Sequence, residues 1–361
     1  MVTDNLSIYT DKLVNKIDLS SEDAARAMRI IMSTQALESD KAAFLTALAR
    51  KDATTREIAS FALTIRQIAK QVELKNFNKD KIFADTCGTG GGAVETFNIS
   101  TAIMFILSAS GIVVAKHGNR AITSKCGSAD VLEELGININ MEPERVVRCL
   151  SEIDIAFLFA PFYHVAFKNV QKVRREIGAP TVFNILGPLV NPVFSPAYKQ
   201  GIKTVQVLGV REEGLIKKLA QVLKILNLHR AMVAYGKGPA GRFGMDEIST
   251  LGDTMICELM EDGQIKEYKI NPQDFGIKLA KPDDLGGGTA KQNAQILLDI
   301  LSGKEKGPKR DIVLLNASAG LYLGKKARDL HEGIKLAGEC IDSGKALERL
   351  GLLRRFSQEK D

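Results

Sequence analysis

The chain has 361 residues, of which 45% are apolar and 25% charged, a composition typical of a globular protein with one large and one smaller domain. Its net charge of +6 is modest and its basic residues mostly alternate with acidic ones, which favours an anionic small molecule over nucleic acid as a partner. The five cysteines lack C-x-x-C spacing, so we expect no zinc site, no disulfide framework and a cytoplasmic location. No apolar run approaches the ~20 residues that span a bilayer, and we expect no membrane partner.

The first part of the chain, residues 1 to about 75, contains only helical patterns. Residues 54–57 (Thr-Thr-Arg-Glu) predict a capping box, and the apolar residues from Ile58 to Ala69 follow it at spacings of three and four. This stripe is typical of the core face of a small helical domain, although a partner subunit could also cover such a surface.

From residue 80 onward, strands alternate with helices, a pattern that predicts a mainly parallel sheet flanked by helices. The predicted strand 82–84 leads into residues 88–92, where glycines would let consecutive N–H groups converge on an anion. The helix predicted from Thr96 would offer its free N-terminal N–H groups to a phosphate. The spacing of this loop matches neither the P-loop motif nor the dinucleotide fingerprint.

A second polar loop follows the next predicted strand, residues 112–115. It carries residues 116–120 (Lys-His-Gly-Asn-Arg), and a helix is predicted to begin at Asp130. Because the carboxyl ends of neighbouring parallel strands meet at one edge of a sheet, we expect the two loops to form a single ligand site.

The rest of the chain continues the α/β pattern around one irregular stretch. A helix is predicted over 162–175, ending at Gly178, and residues 179–196 are interpreted as a crossover between domains that could act as a hinge. The other predicted elements are a helix at 143–153, strands at 155–160, 204–209 and 230–235, a helix at 212–226, a hairpin of 256–260 with 265–270, a glycine loop at 286–288, and a helical tail from Thr289 interrupted at Gly303, Gly324 and Gly344.

Five sets of residues, in order and over most of the chain, resemble the anthranilate phosphoribosyltransferase family of tryptophan biosynthesis. They are GTGG with TFNIST, KHGNR with GSADVLE, VRREIG, FNILGPLVNP and MDEIS. The resemblance implies transfer of the phosphoribosyl group from phosphoribosyl pyrophosphate to the amine of anthranilate, with Mg²⁺ as cofactor, in a homodimer joined through the helical domain. The expected fold is α/β, of the nucleoside phosphorylase/phosphoribosyltransferase class, with a helical domain at 1–75 plus about 170–197 and a donor domain at 80–169 and 198–361.

The resemblance also implies roles for individual residues. Phosphoribosyl pyrophosphate would be bound by Gly88, Gly91, Gly92, Thr96, Asn98, Ile99, Ser100, Thr101, Lys116, His117, Gly118, Asn119, Arg120, Ser124 and Ser128. Anthranilate would be bound by Gly88, Asn119, His164, Arg174, Gly187 and Pro188. The metal ligands would be Ser100, Asp246 and Glu247.

The chemistry of these residue types agrees with the implied roles. Lys116 would supply a point charge to the leaving pyrophosphate, and the guanidinium fork of Arg174 matches a carboxylate. His164 and Arg174 are ten residues apart on the predicted 162–175 helix, which would place them within about a quarter turn of one face. An aryl amine needs no strong base, so no residue is assigned as catalytic with certainty, although His117 or His164 could accept the proton.

One position departs from the family pattern, because many members carry an aspartate where this chain has Gly92. A carboxylate that could help to hold metal or ribose is absent there. We therefore expect a weaker contribution of this position to magnesium binding.

Two other functions are compatible with parts of this pattern. A pyrimidine-nucleoside phosphorylase would share the fold and the ribose chemistry, but residues 116–120, Arg174 and the pair Asp246-Glu247 favour the transferase. A non-catalytic relative could bind nucleic acid, but the chain has no tryptophan and only six tyrosines to stack on bases.

Overall fold

The computed structural model describes residues 5–74, 77–121, 125–194, 201–239 and 244–359. Its N-terminal helices are α1 (Ser7–Val14), α2 (Ser21–Met32), α3 (Glu38–Lys51) and α4 (Thr55–Ile68). The predicted capping box at the start of α4 is confirmed: the Glu57 N–H donates to Thr54 Oγ1 at 3.3 Å, and the Glu57 carboxylate accepts the Thr54 N–H at 2.7 Å. The apolar stripe of α4 lies in the core.

The described strands form one twisted sheet, as the alternating pattern predicts. The strands are β1 (Ile82–Gly88), β2 (Val113–Gly118), β3 (Ile155–Phe159), β4 (Lys203–Gly209), β5 (Arg230–Lys237), β6 (Gly244–Met245), β7 (Thr254–Leu259) and β8 (Ile265–Ile270). Their order is β3-β2-β1-β4-β5-β7-β8, with β6 paired to β5. The first five strands pair in parallel and the last three antiparallel, so the sheet is mainly parallel, with β1 between β2 and β4.

The other helices cover both faces of the sheet. They are α5 (Ile99–Ala109), α6 (Ser128–Glu134), α7 (Pro143–Glu152), α8 (Ala160–Tyr163), α9 (Lys168–Ile177), α10 (Phe183–Leu186), α11 (Leu215–Ile225), α12 (Ala290–Leu301), α13 (Pro308–Leu323), α14 (Leu330–Asp342) and α15 (Lys345–Gln358). Helix α5 packs against β1, β2 and α13, and this burial on all sides explains why its sequence is apolar on every face. Gly111, at φ +79°, ends it, as the C-cap pattern predicts.

Two hydrophobic clusters hold these elements together. One fills the space around α5, between the sheet and the C-terminal helices. The other joins α1–α4 with residues from Val170 to Val190, with α11, and with the opposite face of β4, β5 and β7. Lys41 Nζ strengthens the second cluster by donating to the carbonyls of Ser33 and Asn169. Residues 170–190 therefore pack with the N-terminal helices, although they follow the first three strands of the sheet.

The prediction of one continuous helix over 162–175 is wrong. Helix α8 ends at Tyr163, His164 has a non-helical backbone at φ −113° and ψ 59°, and a short 3₁₀ turn precedes α9. The break has a clear cause, since the Tyr163 carbonyl accepts the backbone N–H of Lys70 at 2.9 Å and is not available to a continuing helix. His164 and Arg174 thus do not share a helix face, and the argument from their spacing fails.

Smaller differences have similar causes. Helix α5 begins at Ile99 rather than Thr96, because Phe97 is tied through its N–H to the Leu285 carbonyl in a neighbouring loop. The described part of the crossover, 179–194, contains α10 and two 3₁₀ turns, Gly187–Leu189 and Pro192–Phe194. The helical tail is confirmed. In the residues that the structure describes, no helix combines the length and apolarity needed to cross a membrane.

Candidate active site

The loop after β1 is shaped by glycine. Gly90 and Gly91 adopt φ +72° and +73°, which side-chain-bearing residues rarely reach. The Gly90 N–H donates to Asp246 Oδ2 at 2.8 Å, and the Thr89 N–H donates to the Gly209 carbonyl at 3.0 Å. The loop is therefore fixed to the ends of β4 and β6 and lies over the carboxyl edge of the sheet.

Lys116, at the end of β2, is almost fully buried with 2% exposure. Its Nζ donates to the Thr86 carbonyl at 2.5 Å and to Ser100 Oγ at 3.2 Å, so it bridges the end of β1 and the first turn of α5. Burial lowers the pKa of Lys116, and the nearby Asp85 carboxylate opposes that effect. Burial also raises the pKa of Asp85. Lys116 thus joins β2 to the last residues of β1 and to the first turn of α5, the two elements between which the glycine loop lies.

The acidic pair Asp246-Glu247 lies directly beside the glycine loop. Burial raises the pKa of Asp246, while the N–H of Gly90 and the charge of Arg211 lower it. Burial, and then the charge of Asp246, raise the pKa of Glu247 to about 8, although Lys116 and the Ser100 N–H act in the opposite direction. Asp246 and Glu247 are thus adjacent, half-buried carboxyl groups with raised pKa values, a combination that favours a bound cation.

These residues fit a hard divalent cation. Within the described ranges there is no cluster of three or more His, Cys, Asp or Glu side chains that could hold a metal by itself. Mg²⁺ needs few protein ligands, since it keeps waters and binds substrate phosphates. Glu247 accepts the Ser100 N–H, which places the acidic pair beside the first turn of α5, so Asp246, Glu247 and the Ser100 hydroxyl are the residues that could hold such an ion. We call residues 88–92, Ser100, Lys116, Asp246 and Glu247 the glycine-loop side of the site.

The loop after β2 folds back onto itself beside Ser128. A side chain at Gly118 would collide with Ser128 Oγ, and this hydroxyl donates to the Asn119 carbonyl at 3.2 Å. Arg120 pairs with Asp130 at 2.9 Å and with Glu133, which raises its pKa, so its charge is already compensated. Asn119 is exposed, and its Oδ1 accepts the Arg120 N–H at 2.7 Å. The last predicted residue of this loop, Ser124, lies outside the described residues.

A line of rings leads away from this edge toward Arg174. His117 and His164 meet edge to face at 5.1 Å, His164 meets Phe167 at 5.5 Å, and Phe167 meets Phe183 at 5.6 Å. The guanidinium of Arg174 lies 5.4 Å from the centre of the Phe183 ring. We call His164, Phe167, Arg174 and Phe183, together with Gly187, the aromatic side of the site.

Polar groups on the aromatic side lack partners. Both ring nitrogens of His164 and Nε2 of His117 are buried without a hydrogen bond. Burial lowers the pKa of His164 to about 4 and that of His117 well below its usual value. Burial also lowers the pKa of Arg174, and no carboxylate of the described chain lies within ion-pair distance of it. A ligand with a carboxylate and an apolar ring would satisfy this surface.

The crossover segment that carries Gly187 and Pro188 is held from both domains. Gln206 on β4 donates to the Pro188 carbonyl at 2.7 Å, and Asn191 donates to Asp85 at 2.9 Å and to the Ala115 carbonyl at 2.7 Å. From α4, the buried Arg66 donates to the carbonyls of Leu189 and Phe194 at 2.8 and 2.6 Å. The position of Gly187 relative to His117 therefore depends on contacts with β1, β2, β4 and α4.

The sequence reasoning missed Gly209, which determines where the acidic pair lies. A side chain at Gly209 would overlap the backbone of Asp246, and one at Gly88 would overlap its carboxylate. The signal was available, since β1, β2 and β4 each end in glycine at the same edge of the sheet. It also missed Arg211, whose guanidinium reaches the turn at Gly91, and no local pattern marks that residue.

Comparison with known proteins places this site in a family. Residues 8–69 match the helical bundle domain, and residues 80–347 the α/β domain, of the glycosyl transferase family. The anthranilate phosphoribosyltransferase of Thermoanaerobacter sp. (strain X514) is 49% identical over 339 residues, which is 94% of this chain and 95% of that protein.

Solved structures agree with the sequence relatives. The anthranilate phosphoribosyltransferase of Thermus thermophilus superimposes with a TM-score of 0.86 at 35% identity, covering 97% of this chain and 99% of that one. The Saccharomyces cerevisiae enzyme, at 29% identity, gives a TM-score of 0.86 in its complex with PRPP and Mg, covering 98% of this chain and 97% of that one. The chain therefore belongs to the anthranilate phosphoribosyltransferase family, with the small helical domain and the larger, mainly parallel α/β domain of its relatives.

Proposed function

We propose that this protein transfers the 5-phosphoribosyl group from phosphoribosyl pyrophosphate to the amine of anthranilate and releases pyrophosphate. One arrangement carries the proposal: the acidic pair and the buried Lys116 lie near the glycine loop, and a line of rings that begins at His117, also on β2, ends at Arg174, which has no carboxylate partner among the described residues. The names of the relatives support both substrates, since the yeast enzyme has been crystallised with PRPP and Mg and with 4-fluoroanthranilate.

In the reaction, the bond between C1 of ribose and the pyrophosphate oxygen breaks, and its electron pair leaves with pyrophosphate. The N–H groups of residues 88–92, Lys116 and the hydroxyls of Ser100 and Ser128 would stabilise that charge, which is the largest demand on the site. Magnesium held by Asp246, Glu247 and Ser100 would neutralise the phosphates. The roles of Thr96, Asn98, Ile99, Thr101 and Gly118 in donor binding are part of the same proposal. Because Arg120 is already paired, we assign it to holding its loop.

The amine forms the new bond to C1 and loses one proton. Arg174 would bind the carboxylate of anthranilate, with Asn119, His164, Gly187 and Pro188 around the ring, so that the amine faces C1. The lowered pKa values of His117 and His164 make both rings weak bases, so neither is assigned as the proton acceptor, and the proton of the amine passes to solvent or to pyrophosphate.

Three further assignments belong to this proposal. The second hydrophobic cluster supports a helical domain of residues 1–75 plus about 170–197, with 80–169 and 198–361 as the donor domain.

Large apolar side chains on the N-terminal helices, Val14 at 66% and Leu37 at 67% exposure, support a homodimer through that domain, which sedimentation would test. The five free cysteines support a reducing, cytoplasmic location.

The direct test follows the fluorescence of anthranilate in the presence of phosphoribosyl pyrophosphate. We expect consumption only when donor and magnesium are both present. No consumption under those conditions would overturn the proposal, and release of the free base from thymidine or uridine with phosphate would favour the nucleoside phosphorylase.

A further inference from the structure

The third glycine run, residues 286–288, has no strand before it, yet it lies against the segment that leads into α5. A side chain at Gly287 would be 2.8 Å from Phe97 Cα and 2.9 Å from Asn293 Oδ1. The backbone of this run therefore touches the residue that precedes Asn98, at the start of α5. Helix α12, which follows the run, packs on both α5 and α6.

Asn293, on the first turns of α12, joins this run to the start of α5. It is 2% exposed, and its Oδ1 accepts the Gly288 N–H at 2.7 Å. Its Nδ2 donates to Asn98 Oδ1 at 2.9 Å, and Asn98 Nδ2 donates to the Cys126 carbonyl at 3.2 Å. The chain of bonds runs from the third glycine run through Asn98 to the loop that precedes Ser128.

This series of hydrogen bonds determines how the side-chain amides of Asn293 and Asn98 are oriented, and it starts from one backbone donor, the Gly288 N–H. A backbone N–H can only donate, so Gly288 requires the oxygen of Asn293 to face it, and the Asn293 amide nitrogen must then face Asn98. Asn98 consequently directs its amide oxygen at Asn293 and its amide nitrogen away from Asn293, toward the Cys126 carbonyl. One amide hydrogen of Asn98 is bonded to the Cys126 carbonyl, and no acceptor for the second is found among the described residues.

We infer that Asn293 is a positioning residue for phosphoribosyl pyrophosphate, which holds the Asn98 amide with its N–H directed at a phosphate oxygen. The inference rests on the proposed function, in which Asn98 contacts the donor. A phosphate accepts hydrogen bonds and never donates them at the oxygens involved, so the reverse orientation of Asn98 would repel it. Asn293 itself need not touch the ligand.

The test measures binding of phosphoribosyl pyrophosphate with Mg²⁺ to the full chain by calorimetry. Asn293→Ala should weaken the donor Kd by about 10- to 100-fold, the effect of one lost hydrogen bond to a charged partner. Asn293→Asp keeps the shape and the bond to Gly288 but forces Asn98 to turn its nitrogen inward, so we expect a loss at least as large. Gln295→Ala on the exposed face of the same helix should leave the Kd unchanged.

A double-mutant cycle separates positioning from simple structural support. If Asn293 acts through Asn98, then Asn98→Ala combined with Asn293→Ala should lose no more affinity than Asn98→Ala alone. The KM for anthranilate should not change in Asn293→Ala. Independent, additive losses, or a wild-type donor Kd in both Asn293 variants, would overturn the inference while leaving the proposed function intact. A wild-type chain that does not bind the donor at all would overturn the proposed function and this assignment with it.

Discussion

The glycine-loop side and the aromatic side of the site, which we assign to the donor and to the amine, are built by different means. On the glycine-loop side, backbone groups and charged side chains satisfy one another, as in the bonds of Lys116 to Thr86 and of Gly90 to Asp246. On the aromatic side, the ring nitrogens of His164 have no hydrogen-bond partner and Arg174 has no carboxylate partner within the described ranges. The first arrangement is preorganised for a highly charged group, whereas the second leaves polar groups that a ligand must complete.

The largest expected effect tests the glycine-loop side. Lys116→Met removes the buried charge that would meet pyrophosphate, so kcat/KM for the donor should fall by roughly 10²- to 10³-fold. The thermal stability of the variant should be measured together with the kinetics, because the Thr86 carbonyl loses the hydrogen bond from Lys116 and the variant is expected to be less stable. Lys125→Met, in the segment between β2 and α6, is the control, since Lys125 is exposed and paired with Glu95. If kcat/KM for the donor falls equally in both variants, then any positive charge in this region has the same effect and the buried position of Lys116 is not important.

On the aromatic side, Arg174→Met should raise the KM for anthranilate by about 10²-fold and leave the KM for the donor unchanged, because a charge-assisted bond to the carboxylate is lost. The neighbouring Arg175, which is exposed, provides the control as Arg175→Met. If Arg174→Met raises the KM values for the donor and for anthranilate equally, then the glycine-loop side and the aromatic side do not bind the two substrates independently.

The unpaired His164 makes a pH prediction for the unliganded protein. Its pKa of about 4, below the ordinary value of 6.5, means that the unfolded chain takes up the proton first as pH falls. Stability is therefore full above pH 6.5 and is lost as the pH falls toward 4, by about 2 kcal/mol between pH 8 and pH 5. The ring of His117 and the guanidinium of Arg66 face this ring, and the charge of Arg66 disfavours its protonation.

Chemical denaturation at both pH values would check this. His164→Phe should lose less stability on acidification than the wild type, whereas His331→Phe, at an exposed position, should retain the wild-type loss. An unchanged loss in His164→Phe would mean that other groups cause the acid sensitivity.

The smallest expected effect is at Gly92, the position where many family members carry an aspartate. A side chain at Gly92 would begin 3.2 Å from Asp246 Oδ1 and 3.3 Å from Met245 Cα, so Gly92→Asp adds a third carboxylate beside the acidic pair. The variant should reach half-maximal activity at a magnesium concentration several-fold lower, since more negative ligands attract the cation. Gly92→Asn matches its size without the charge. A magnesium titration that is the same in Gly92→Asp and wild type would contradict the idea.

The sequence by itself determined the elements whose signals are local. The α4 capping box, the apolar strands and the glycine-rich loops follow from neighbouring residues, and parallel strands necessarily bring the loops after β1 and β2 to one edge. Family resemblance added the acidic pair, whose adjacent carboxylates alone would suggest a solvated turn. Such features can be read from the sequence because their cause lies within a few residues.

Only the tertiary structure decided the features that depend on distant partners. The helix predicted through His164 breaks because Lys70, far away in sequence, takes the Tyr163 carbonyl. The third glycine run, which the sequence marks only as a loop, reaches Asn98 because α12 packs beside α5 and α6. Hydrogen bonds and burial across such separations arise from how the layers pack, and no local pattern of residue types contains that information.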